Sequence, residues 1–240
     1  QAHDAIVAQY ALEAHKIPLV GPFSSAGPFQ TGGEWYWLIM AATALYPYTA
    51  ITPWIFLSLI YVLFVYIIVL VGKELVSKKF GLLVGLLTAL STAQIAQGTN
   101  LTNQAPLAIV ALFSIWAMIR YVKAKKSKYL FLLGFLVSLA ATIHLQGILL
   151  FLLPFSLLLF SGKPSIRTIK ILLIGLSIPL IPLLIYDVQN NFINSRNMIQ
   201  YYFHDQYKIS LDVLNRRWLT YAGVFWPNLW SHIIGGNVVI

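Results

Sequence analysis

Residues 129–161 form one apolar run of 33 residues, interrupted near its middle by the tetrapeptide HLQG. Lipid is the only solvent in which such a run is unremarkable, because a membrane-crossing helix needs about 20 consecutive apolar residues. The run is not alone. Further apolar stretches occupy 51–72, 80–97, 106–121 and 170–186. Charged residues make up 10% of the 240 and hydrophobic ones 59%, whereas a soluble domain carries roughly 25% charged residues. The chain is therefore expected to be all-α, a polytopic transmembrane helical bundle of about six spans. Two of those spans would be short segments of 129–161 meeting in a hairpin at 144–147. Pro179 and Pro182 are expected to bend or break the last span. Cysteine is absent, which excludes a disulfide framework and thiolate metal sites.

The net charge of +9 is organised as a topology signal. The loops 73–79, 120–128 and 163–170 hold 11 of the 16 Lys and Arg residues, and such loops stay in the cytoplasm. No RNA- or DNA-binding motif accompanies them, which argues against nucleic acid as a partner. With these loops inside, the segments 98–105, 144–147 and 187–217 fall outside. The run WYWLIMAATALYPY after Glu34 is about 13 residues long, too short to cross. Its clustered aromatic rings suit the bilayer interface, so residues 1–33 also fall outside. Six of the seven acidic residues, all but Glu74, then share the outer side. Three regions follow: a first outer loop with juxtamembrane helices at 1–50, the bundle at 51–186, and a second outer segment leading into a further membrane segment at 187–240. The chain opens on Gln and ends inside an apolar stretch, NVVI, so both ends are expected to be cuts in a longer protein.

Several polar residues on that outer side could carry chemistry. Asp4 opens a stretch whose Ile6, Val7, Tyr10, Ala11 and Ala14 can share one helical face, with Pro18 closing the helix. The residues 21–33, GPFSSAGPFQTGG, are turn-rich. Asp4 is either a helix-terminal acid that complements the dipole or a general base for a hydroxyl acceptor. Glu34 is either a solvated helix-start residue or a metal ligand or acid/base partner. His144, with Gln146, interrupts the longest apolar run, and an ionisable residue at such a place is by default functional. Asn100, Asn103 and Gln104 could cap the helix after Pro106 or bind sugar hydroxyls, and Asn100-Leu101-Thr102 is a glycosylation sequon. Arg196, Lys208, Arg216 and Arg217 could contact lipid headgroups or clamp a phosphate. No P-loop, GxSxG or HExxH is present. A non-enzymatic polytopic protein, such as a carrier or flippase of lipid-linked sugars, is the competing reading. It should show internal repeats or paired broken helices, and no repeat is found.

Four stretches in order resemble bacterial glycosyltransferases of family 39, in the GT-C superfamily, relatives of dolichyl-phosphate-mannose protein mannosyltransferases and aminoarabinose transferases. QAHDAIVAQYALEAHKIPLVGPFSSAGPF resembles that family's first outer loop, and EWYWLIMAATALYP its aromatic juxtamembrane helix. ATIHLQGILLFLLP resembles its Leu-His-Leu hairpin, and PLLIYDVQNNFINSRNMIQYY its later segment with Phe-x-Asn-(Thr/Ser)-Arg. The resemblance implies an inverting transfer of a sugar from a polyprenyl-phosphate donor to a hydroxyl of a lipid, glycan or protein acceptor. The site would be extracytoplasmic, in a bacterial inner membrane. By motif position Asp4 is the catalytic base. His3 stands where relatives often carry Arg, and Gln104 where some carry an acid. His3, Glu34, Asn103, Gln104, His144, Gln146 and Arg196 are the expected substrate-binding residues. The leaving phosphate implies a cation or a divalent metal ion. No protein metal ligands are assigned.

Overall fold

A computed structural model describes residues 2–24, 27–47, 49–160, 164–204, 216, 218–226 and 228. Lys208 and Arg217 lie outside the described residues. Ten α-helices dominate these residues: α1 (Ala2–Glu13), α2 (Glu34–Leu45), α3 (Thr52–Leu75), α4 (Lys78–Leu90), α5 (Thr92–Gly98), α6 (Leu107–Ala124), α7 (Ser127–Ile143), α8 (Leu152–Phe160), α9 (Ile166–Gln189) and α10 (Ile193–His204). A 3-10 helix, Leu145–Phe151, joins α7 to α8.

Three of these helices, α3, α6 and α9, are long and apolar enough to cross a membrane. A fourth crossing is present if α4 and α5, bent by 67° at Ser91, count as one. The two apolar segments expected within 129–161 appear as α7 and as the 3-10 helix with α8, both shorter than a full span. The starts follow from local chemistry. Pro53 sits in the first turn of α3, where its missing N–H costs nothing. Ser77 and Ser165 accept the Phe80 and Thr168 amides at the starts of α4 and α9, as N-caps do.

Pro179 and Pro182 do not break α9, which runs unbroken through both. The two positions lose their donors to Gly175 and Ile178, a loss membrane helices tolerate when neighbours pack closely. Close packing is present here. α9 crosses α7 at Gly175 and Gly134, where a β-carbon would sit 2.3 Å from Phe131 O and 2.6 Å from Leu172 O respectively.

Two details of the first loop differ from expectation. α1 ends before Pro18, closed by His15 in the left-handed region (φ 52°). The His15 and Lys16 amides return to Leu12 O and Ala11 O at 3.1 and 2.9 Å, a Schellman closure. Its covered face is also different. Ala8 and Ala11 are buried, while Ile6 and Tyr10 stay 66% and 73% exposed. The small alanines let α1 lie close on α2 and turn Asp4, on the same face, toward it. The turn-rich stretch holds two short antiparallel strands, β1 (Val20–Phe23) and β2 (Gln30–Gly32), pairing Val20 with Gly32 and Phe23 with Gln30.

The bundle has two chemically distinct ends. One gathers the C-termini of α3 and α6 with the start of α7, and carries Glu74, Arg120, Lys73, Lys123, Lys125, Lys126 and Lys128. The other gathers α1, α2, the hairpin, the loop before α6, the break after α7 and the turn between α9 and α10.

Candidate functional site

At this second end the first element is a carboxylate held by an indole. Asp4 Oδ2 accepts a 3.0 Å hydrogen bond from Trp35 Nε1. Trp35 is fully buried, so the donor is fixed. Asp4 itself is 14% exposed, and its Oδ1 lies 3.3 Å from Nδ1 of the exposed His3. The neighbouring Tyr36 hydroxyl is pushed up to about 12, mostly by burial and further by the Asp4 charge. Tyr36 therefore stays protonated at neutral pH.

Glu34 starts α2 and is 92% buried, 8% of its surface remaining exposed. Its carboxylate lies back against Gly32, where a β-carbon would come within 2.1 Å of Oε2 and 2.9 Å of Thr142 Cβ. The Thr142 hydroxyl already donates to Leu139 O at 3.0 Å. Neither Glu34 oxygen finds a hydrogen-bond partner. Burial pushes this carboxyl above the ordinary glutamate range, opposed only in part by its own backbone N–H and by nearby Thr142. The solvated helix-start reading of Glu34 is thereby excluded.

His144 occupies the break between α7 and the 3-10 helix, in extended backbone. Its Nδ1 accepts the Gln146 amide at 3.2 Å, and its Nε2 lies 3.1 Å from the Gln104 side-chain amide. An Nδ1 that accepts leaves the neutral ring's proton on Nε2; the Gln104 amide nitrogen is the atom facing it, so Gln104 accepts that proton only with its amide turned over. Burial lowers the His144 pKa and favours this neutral form. Asn103 Nδ2 donates to Ile143 O at 3.1 Å, tying the same loop to the end of α7. Gln146 contributes its backbone N–H, and its side chain is exposed. A polar pocket of about 190 Å³ results, with Ser24, Thr31, Thr102, Asn103, Gln104 and His144 in its wall.

The turn after α9 completes this end. Asp187 is 4% exposed. It accepts the amides of Asn194 and Ser195 (2.9 and 3.2 Å) and the Ser195 hydroxyl. It is thus the cap of α10. Asn194, held there, pairs its side-chain amide with the β2 backbone: Gln30 N donates to Oδ1 at 2.6 Å and Nδ2 donates to Gln30 O at 3.2 Å. Asn197 Nδ2 adds a bond to Pro28 O at 2.8 Å. The Phe-x-Asn-Ser-Arg segment is therefore a staple on the first loop. Arg196 is exposed and donates to Asn191 O, closing the turn.

Two apolar cavities lie beneath. The larger, about 660 Å³, is bounded by Glu34, Trp35 and Trp37 of α2 and reaches Phe113, Phe135 and Pro182. The second, about 430 Å³, lies under β2, between Thr142, Ile148, Leu180 and Met198. Asp4 lies in the wall of neither and reaches the larger one through Trp35. Among the described residues no three His, Asp or Glu side chains converge.

Residues 35–186, more than half of the chain, match the family model of dolichyl-phosphate-mannose-protein mannosyltransferases. The chain belongs to this family. It is accordingly a multi-pass integral membrane protein and a glycosyltransferase of the GT-C type. The matched stretch takes in Asn103, Gln104, His144 and Gln146, while Asp4, Glu34 and Arg196 lie outside it. No curated protein and no solved structure matches the chain. At this second end Asn103, Gln104 and His144 come together, and Asp4 and Glu34 flank Trp35 and the cavity below it. His3, Gln146 and Arg196 lie exposed at the rim. Trp35, Thr31, Asp187 and Asn194 were not expected from the sequence. Of these only Asn194 left a trace, in the Phe-x-Asn-(Thr/Ser)-Arg resemblance.

Proposed function

We propose that this chain transfers a sugar from a polyprenyl-phosphate donor to an acceptor hydroxyl, with inversion, at the extracytoplasmic face of a bacterial inner membrane. Asp4 is the general base. As the acceptor oxygen bonds to the anomeric carbon, its proton passes to an Asp4 oxygen, the bond from that carbon to the phosphate oxygen breaks, and polyprenyl phosphate leaves. The observation that carries this reading is the Trp35–Asp4 hydrogen bond. It sets an oriented carboxylate behind the indole that walls an apolar cavity of about 660 Å³, suited to an isoprenoid chain. A fixed N–H donor positions the carboxylate while leaving its charge on it, and proximity of base to nucleophile is where such catalysts gain most. Asn103, Gln104 and His144 offer neutral donors and acceptors for sugar hydroxyls. Glu34, His3 and Gln146 complete the surroundings, and Arg196 is the guanidinium nearest in sequence to the staple that could meet the leaving phosphate. In this reading residues 1–50 are the catalytic outer loop, 51–186 the bundle, and 187–240 a second outer segment leading into a further membrane segment, with Asn194 and Asn197 bracing the first loop.

The test follows label leaving a radiolabelled polyprenyl-phosphate sugar in membranes carrying the full-length protein. Asp4→Asn, at equal abundance, is expected to slow transfer by roughly 10²–10⁴-fold, the usual span for loss of a general base. Equal transfer by the variant would reduce Asp4 to a helix-end acid.

A further inference from the structure

We propose that the polar pocket and the 430 Å³ cavity form one continuous site for an amphiphile with an uncharged, hydroxyl-bearing head group on an apolar chain, and that this amphiphile is the acceptor. The assignment of the site rests on geometry. Only the word acceptor rests on the transferase reading above.

The two spaces share walls. Thr31 and Leu145 line both. Alone, the polar pocket of about 190 Å³ is smaller than ligand sites usually are, roughly 300–1,000 Å³. On the far side of Thr31 and Leu145 lies an apolar space bounded by Ile148, Phe151, Leu183 and Met198, and the two joined reach ordinary ligand-site size. The chemistry changes along that path as it does along a glycolipid. The head region offers the hydroxyls of Ser24, Thr31 and Thr102, two amides and an imidazole, and no charged side chain. Thr102 Oγ1 is buried without a partner, and a buried hydroxyl left so is costly unless a ligand hydroxyl meets it. An anionic phosphate would find no cation there. The head end faces water, since Gln104 is exposed. Beside the tail end Ile148, Leu149 and Leu152 are 50%, 70% and 64% exposed, an apolar surface suited to lipid.

The site is also separate from the larger cavity. Along α7, Leu139 and Ile143 face the larger space, and Ala141 and Thr142 face the second. Along α9, Pro179 and Pro182 face the larger and Leu180 and Leu183 the second. A donor chain in the larger cavity leaves this one open.

The test uses the full-length protein in lipid nanodiscs and a dodecyl glucoside carrying a diazirine in its chain, with cross-links mapped by mass spectrometry. Labelling is expected on the 3-10 helix around Ile148 and on α10 around Met198. Unlabelled dodecyl glucoside should compete, and glucose or dodecyl phosphate should not. Ile148→Trp and Leu183→Trp, each filling the chain space, should lower labelling roughly ten-fold, the effect of about 1.4 kcal/mol. Ile60→Trp, in the larger cavity, should not. Diffuse labelling, labelling unchanged in both filled variants, or equal competition by dodecyl phosphate would overturn the site. Exclusive labelling by a serine-containing peptide probe would overturn it in favour of a protein acceptor. Specific labelling in a protein that transfers no sugar would leave the site standing and sink the transferase reading instead.

Discussion

The two ends of the bundle treat their carboxylates in opposite ways. At the basic end Glu74 accepts from Arg120 Nη1 at 2.9 Å, and Lys123 donates to its carbonyl at 2.6 Å. The Arg120 guanidinium also lies over the Trp116 and Tyr129 rings, 5.9 and 5.5 Å from their centroids, an arrangement that favours Arg. Charge there is spent on charge. At the other end Asp4 is held by an indole and an exposed imidazole, Asp187 by backbone amides and a serine hydroxyl, and Glu34 only by the proximity of its own backbone N–H and Thr142. Neutral donors fix a carboxylate in place without neutralising it. The basic end pairs its carboxylate with a cation, and the other end leaves its carboxylates without one.

The sharpest way to break this contrast is to remove the neutral donor. Trp35→Phe should lower kcat by roughly 10- to 100-fold with little change in KM, given that hydrogen bonds to charged groups are worth about 1.5–3 kcal/mol. In an Asp4→Asn background the same substitution should add almost nothing. Full additivity would mean that the indole acts through packing alone. Next in size, Asp187→Ala should destabilise the full-length protein by roughly 2 kcal/mol, the upper end for loss of a helix cap. Asp187→Asn, which still caps, should recover most of that in a denaturant titration.

Glu34 gives a prediction with a sign. Its native carboxyl binds a proton more tightly than the unfolded chain does. Stability is therefore greatest below the ordinary glutamate value and falls as pH rises from there through the raised native value. Glu34→Gln should flatten thermal stability across that window. A wild-type stability that rises with pH there would mean a paired carboxylate, like Glu74. The smallest effect is expected at the basic end, where Arg120→Gln should leave donor turnover unchanged and shift the melting temperature least of the set, as a half-buried, solvent-screened ion pair contributes little.

Much of the architecture was legible because lipid imposes a long-wavelength signal. The apolar runs at 51–72, 106–121 and 170–186 reappear as α3, α6 and α9, and HLQG marks the end of α7. The run after Glu34 reappears as the 12-residue α2, not among the helices long enough to cross. Local chemistry was harder to read. The prolines of α9 looked like breakers, because the glycine contact at Gly134 and Gly175 that packs α7 against it joins residues far apart in sequence. On α1 the bulky residues looked like the buried face, because in a soluble helix they would be. At an interface the alanines pack and Ile6 and Tyr10 are left to their surroundings. The polar constellation was only half visible. Asn103, Gln104 and His144 announce themselves as polar groups among apolar ones. Trp35 is one aromatic among many until Asp4 is seen against it. No periodicity records an asparagine amide that bonds a backbone 164 residues away.

That amide sets an order of assembly. Asn194 gives Gln30 the two bonds that a neighbouring strand would give, so β2 has, in effect, a borrowed strand edge. The hairpin leaves the ribosome early and its partner late, after every helix from α2 to α9. Contacts of such separation form last, because the intervening chain must first be arranged. The first loop must then wait, incompletely docked, through the insertion of the bundle. A polypeptide stalled before residue 194 would be embedded in the membrane with its first loop unlatched.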